Sequence, residues 1–157
     1  MEIHFHANMC DSSTRHVASE MHAPFKSLGE YLTGDYGGTM EHLWIDLELI
    51  ESHARPDGSC KHPFRFQKRV SGRSHFGLPP SADHFNVGHY SVRPDFAVIA
   101  SLSGTQLLTY VLSLIFDSTE VLVKKQKKLD GFDAGLFRDR FLGACERLGC
   151  RVGGYAV

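Results

Sequence analysis

A chain of 157 residues fits one domain, with enough surface to bury that no disulfide staple is needed. Its 42% hydrophobic and 22% charged residues exclude a wholly disordered chain. With 17 basic and 18 acidic residues the net charge is -1, so no global field draws the molecule to nucleic acid or to an anionic membrane.

The opening Met1-Glu2-Ile3-His4-Phe5-His6 has no basic segment ahead of an apolar run and does not read as a secretory signal. Four sparse cysteines, Cys10, Cys60, Cys145 and Cys150, then point to reduced thiols in a cytoplasmic protein. Val17, Met21, Phe25, Leu28 and Leu32 recur at helical spacing after the cap-like Asp11-Ser12-Ser13, which predicts an N-terminal helix over 12–33. Pro24 is expected to break or kink it. Gly34, Gly37 and Gly38 mark a loop, after which Leu43, Ile45, Leu47 and Leu49 alternate with Trp44, Asp46 and Glu48. That is a strand with one buried face.

Arg55-Pro56-Asp57-Gly58 is a turn signal, and 63–70 reads as the strand returning from it in a hairpin. A Ser, Gly and Pro-rich loop over 71–83 leads to a third strand over 84–93, ended by Pro94. Ser103-Gly104-Thr105-Gln106 has the form of a capping box and opens an apolar helix over about 105–127. Its run Leu107–Val123 is interrupted by Thr109, Ser113 and Asp117-Ser118-Thr119-Glu120, which suits a buried helix and not a membrane span. Asp133 caps a last helix through 148, with Phe137, Phe141, Cys145 and Leu148 on one face and Gly149 as its stop. The expected fold is therefore a single α+β domain spanning 1–157. Its small antiparallel sheet (strands near 42–51, 63–70 and 84–93) packs against the C-terminal helices (about 105–127 and 133–148) and the N-terminal one.

All ten histidines fall between His4 and His89, and none follows Tyr90. Histidine titrates near neutrality and is the commonest metal ligand. In a strand, His4 and His6 point the same way and can present two imidazoles to one ion, with Asp11 as an oxygen donor. The run from His4 to Ser12 resembles the opening motif of the PHP metallophosphoesterases, close to His-x-His-Thr-x-x-Ser-Asp-Gly, with Ala7 and Cys10 in place of its Thr and Ser. The resemblance implies a divalent metal such as zinc on His4, His6 and Asp11, activating water against a phosphate ester.

His53, Cys60 and His62 supply one chelating pair where a structural zinc site uses two, so surface histidines are expected there. Phe64-Arg65-Phe66-Gln67-Lys68-Arg69 reads as an amphipathic strand, and Lys124–Lys128 as a solvated helix end. The sequence has no Gly-x-Ser-x-Gly elbow, Walker loop or Gly-x-Gly-x-x-Gly junction. Trp44, Asp46, Glu48 and Glu51, by contrast, gather the only tryptophan with acidic groups on the non-core side of a strand, a composition suited to a protein-binding hot spot. The leading expectation is a small cytoplasmic protein-binding module of the bacterial toxin-immunity kind, with a cognate toxin domain as partner and no cofactor, nucleic acid or membrane. The alternative is a PHP-like metal-dependent hydrolase built on the N-terminal His-x-His.

Overall fold

The computed structural model describes residues 1–9, 12–38, 40–49, 64–71, 85–125 and 131–152, with the backbone alone at 8, 9, 12, 64–71, 85–87 and 89. Alternation begins earlier than expected: Glu2–Met9 form a strand, β1, whose Ile3 is buried and whose Glu2 and His6 are exposed. After a 3-10 turn at Ser12–Thr14, helix α1 runs without interruption over Arg15–Leu32. Pro24 therefore does not break it. An interior proline costs about 3 kcal/mol. Val17, Met21, Phe25, Leu28 and Leu32 are all buried, at about 1.5–3 kcal/mol each, so packing outweighs that local cost.

The three expected strands are present as β2 (His42–Leu49), β3 (Phe64–Ser71) and β4 (Phe85–Val92). Their pairing is not the expected one. The sheet order is β1-β2-β4-β3, with β1, β2 and β4 mutually parallel and only β3 antiparallel, along the outer edge of β4. The antiparallel sheet read from the sequence is thus overturned, and so is the hairpin, because β4 lies between β2 and β3. The turn residues 55–58 assigned to that hairpin fall outside the described residues. A parallel neighbour needs a long crossover, and α1 provides it between β1 and β2. The antiparallel expectation rests on the hairpin read from the 55–58 turn, and the alternation in β2 is unusual for a parallel strand, since those are usually covered by helices on both faces. Here the described helices pack on the side of Leu43, Ile45, Leu47 and Leu49, and the other side of β2 carries His42, Trp44, Asp46 and Glu48.

Beyond β4 the chain is helical: α2 (Phe96–Ser101), α3 (Gly104–Lys124) and α4 (Ala134–Arg147). Asp95 caps α2, accepting from the Val98 N–H at 3.2 Å, and Asp133 caps α4, accepting from the Leu136 N–H at 3.0 Å. The expected capping box of α3 does not form through Ser103, whose side chain makes no cap hydrogen bond. The Gly104 N–H instead donates to Glu20 Oε1 of α1 at 2.7 Å, so a neighbouring helix supplies the cap. Gly149, at φ +75, turns the chain off the end of α4, as expected of the glycine that follows a helix.

Helix α3 is long and apolar enough by itself to cross a membrane, yet its Leu107, Val111, Leu112, Ile115 and Leu122 are buried in the core. Its buried hydroxyls are satisfied within the helix, Ser118 donating to the Ile115 carbonyl and Thr119 to that of Phe116. Tyr36, Phe132, Phe137 and Phe141 form an aromatic seam under α4, with Phe5 of β1 6.3 Å from Phe141. Cys145 and Cys150 are buried free thiols.

The candidate metal centre and the polar sheet face

In register, β1 and β2 pair Glu2 with His42, His4 with Trp44 and His6 with Asp46. Partners in a parallel ladder share a face, so all six stand on the side away from the described helices. Two further contacts extend this row. Arg93, just past β4, donates from Nε to Glu48 Oε2 at 2.9 Å, and Ser91, opposite Asp46, is buried. The face is polar without being open: Asp46 is only 8% exposed, and the side chains of Glu48 and Arg93 are 12% and 14% exposed. Charged groups at that depth are held by partners.

At the amino end of β1 and β2, three donor atoms converge. His4 Nε2 lies 3.3 Å from His42 Nδ1 and 3.6 Å from Glu2 Oε2, and His42 Nδ1 lies 3.3 Å from the same Glu2 oxygen. The His4 ring stacks on Trp44 at 4.6 Å between centroids and 23° between planes, which fixes its orientation. Burial lowers the His4 pKa from its ordinary value, the neighbouring His42 lowers it further, and Glu2 pulls the other way. The imidazole is thereby biased toward its neutral form, which can accept a hydrogen bond or ligate a cation. No known protein family, curated protein or solved structure matches this chain.

The expected site residues therefore divide. Trp44, Asp46 and Glu48 share one face, half-buried, buried and half-buried in turn, while Glu51 lies outside the described residues. His4 and His6 do point the same way, but they do not converge on one centre. His6 Nδ1 faces Asp46 Oδ1 at 3.6 Å, and His4 meets Glu2 and His42. Asp11 lies outside the described residues, as do His53, Cys60 and His62. Glu2 and His42 were not anticipated. Forty residues separate them, and no linear spacing reports a contact made by parallel pairing across a helix. One signal was available for His42: continuing the alternation of Trp44, Asp46 and Glu48 back by two residues puts it on their face.

A cleft of about 580 Å³ lies along the outer edge of β1, lined from α1 on one side of the sheet and from the polar face on the other. Ile3, Phe5 and Phe25 line it together with Glu2, His6, Lys26 and Glu30, and Trp44 reaches it from β2. Gly29 of α1 sits so close to the strand that a β-carbon there would lie 2.9 Å from the Ile3 carbonyl oxygen. Thr33 closes that end: its hydroxyl accepts from the Ile3 N–H at 3.0 Å and donates to the Gly29 carbonyl at 2.8 Å.

Proposed function

We propose that this protein is a small binding module that docks a protein partner through the face carrying Trp44, Asp46 and Glu48, and that the partner is a toxin domain which it neutralises stoichiometrically in the cytoplasm. The observation that carries this reading is the setting of Trp44. The only tryptophan in the chain is held by stacking on His4, opens on the cleft along β1 and is followed on its strand by two acidic residues. A fixed, half-buried aromatic ringed by polar groups has the makeup of an interface anchor, since its ordering entropy is spent before the partner arrives. The Glu48–Arg93 pair and the His6–Asp46 contact hold the neighbouring side chains in the same way. The toxin-immunity assignment rests on architecture: one short α+β domain of near-neutral charge with no catalytic motif in its sequence.

A PHP-like phosphoesterase would require His4, His6 and Asp11 around common metal ions. His6 is directed at Asp46 and His4 at Glu2 and His42, so the binding reading has the better support. The test is co-expression with the product of each adjacent gene, because an inhibitor is commonly encoded beside its target. A stable one-to-one complex that suppresses the toxicity of the neighbour is the expected result. Failure of every neighbour to bind, together with metal-dependent release of phosphate from a monoester, would select the hydrolase instead.

A further inference from the structure

We propose that Glu2, His4 and His42 form a binding site for a divalent transition-metal ion, zinc foremost, which clamps the edge strand β1 to β2. The site rests on donor-atom geometry and does not depend on the partner-binding reading. Zinc bonds imidazole nitrogen and carboxylate oxygen at about 2.0–2.2 Å, and a tetrahedral ion with bonds of about 2.0–2.1 Å sets its ligand atoms about 3.3–3.4 Å apart. The three donor atoms are separated by 3.3, 3.3 and 3.6 Å, so a single ion can reach all three with little movement. Two neutral imidazoles and one carboxylate neutralise half of a dication, and the nitrogen-rich set favours zinc and its neighbours over magnesium or calcium, which take oxygen ligands.

The surroundings are those of a ligand site. The Trp44 ring backs His4 on one side, and His42 lies nearly parallel to it at 5.5 Å on the same face, so both rings are held before a metal arrives. The side chain of His42 is 16% exposed and that of His4 31%, whereas Glu2 is 62% exposed, which leaves a way in from solvent and a fourth position for water. The ligands come from the amino ends of two parallel strands. The ion assigned here ties the two strands together. It joins the first strand of the chain to a strand forty residues further on, across the loop closed by α1.

Untagged protein is titrated with zinc chloride by calorimetry and, in parallel, with cobalt(II), whose visible absorption separates four-coordinate binding from a hydrated ion. Stoichiometric zinc binding, an intense four-coordinate cobalt spectrum and a rise in Tm of about 5 °C at saturating zinc are expected. His42→Ala is expected to weaken binding by more than about tenfold and to abolish the cobalt spectrum, while His22→Ala, on the exposed side of α1, leaves both unchanged. Glu2→Gln removes an exposed charged ligand and should weaken binding in the same direction even where His42→Ala folds poorly. Zinc binding that survives both His42→Ala and Glu2→Gln places the ion on other histidines and overturns the proposal. So does a wild-type protein whose Tm does not move with zinc, which would leave the three groups as a hydrogen-bonded cluster.

Discussion

Trp44 and Cys145 show how far the consequence of a residue depends on its neighbours. On β2, Trp44 stands among His4, Asp46 and the cleft along β1. If it anchors a partner, Trp44→Ala weakens that complex by on the order of 2 kcal/mol, the scale of an interface hot spot. Calorimetry against the cognate partner checks this, and an unchanged Kd removes the face from the interface. Cys145 is the opposite case: fully buried on α4, its thiol is pushed up to about 12 by burial first, then by Cys150 and Glu146. Only the thiolate is nucleophilic, so Cys145 is expected to stay unmodified by iodoacetamide at pH 8 in folded protein and to react once the chain is denatured, as read by peptide mass spectrometry. A thiol whose pKa is raised by folding contributes stability that is complete below its unfolded value and is lost as pH rises toward about 12, so Cys145 adds to alkaline unfolding. The sequence marked both residues, Trp44 by its place in an alternating strand and Cys145 by helical spacing. Neither pattern could report that His4 would lie against the indole.

Among the elements, the candidate sites lie on β1 and β2, while α1 and β1 bound the cleft onto which Trp44 opens. Their separation is set where Gly29 meets the Ile3 carbonyl, and Thr33 ties the end of the helix to the edge of the strand. A methyl group at position 29 would enter a gap of 2.9 Å against backbone, which cannot rotate away as a side chain could. Gly29→Ala is therefore expected to destabilise by about 1–3 kcal/mol despite the better helix propensity of alanine, worth about 1 kcal/mol in the opposite direction. Urea denaturation measures the balance, and a net gain in stability would show that α1 can lift off the strand at no cost. The helical run of α1 was legible from its apolar spacing, and so were α3 and α4 with the Asp133 cap. The continuity of α1 through Pro24 was not, because it depends on a sheet to pack against. Nor was the cap of α3, because Glu20 lies eighty-four positions before the amide it accepts from.

At the scale of the whole molecule, the strands β1, β2 and β4, the crossover α1 and the helices α3 and α4 share one hydrophobic cluster among the described residues, running from Ile3 to Val152. Elements so connected should unfold together. Trp44 reports on the sheet by fluorescence and far-UV dichroism reports mainly on the helices, so the two thermal transitions are expected to coincide. Separate midpoints would mean that the helical half holds without the sheet. Burial does not explain the one-sided histidines, because the described chain after Tyr90 is no more buried than the part before it. The placement of α1, β2, β3, β4, α3 and α4, and the apolar side of α1, β2, α3 and α4, follows from periodicity, whereas β1 and α2 had no place in the expected fold. Which strands are neighbours does not follow from periodicity. The parallel pairing of β1 with β2 needs the α1 crossover, and the pairing of β4 with both β2 and β3 is seen only in the folded chain. That choice turned the expected antiparallel sheet into a mainly parallel one. It also moved His4 away from the anticipated partnership with His6 and into contact with Glu2 and His42, because only the folded chain brings residues 2, 4 and 42 to one point.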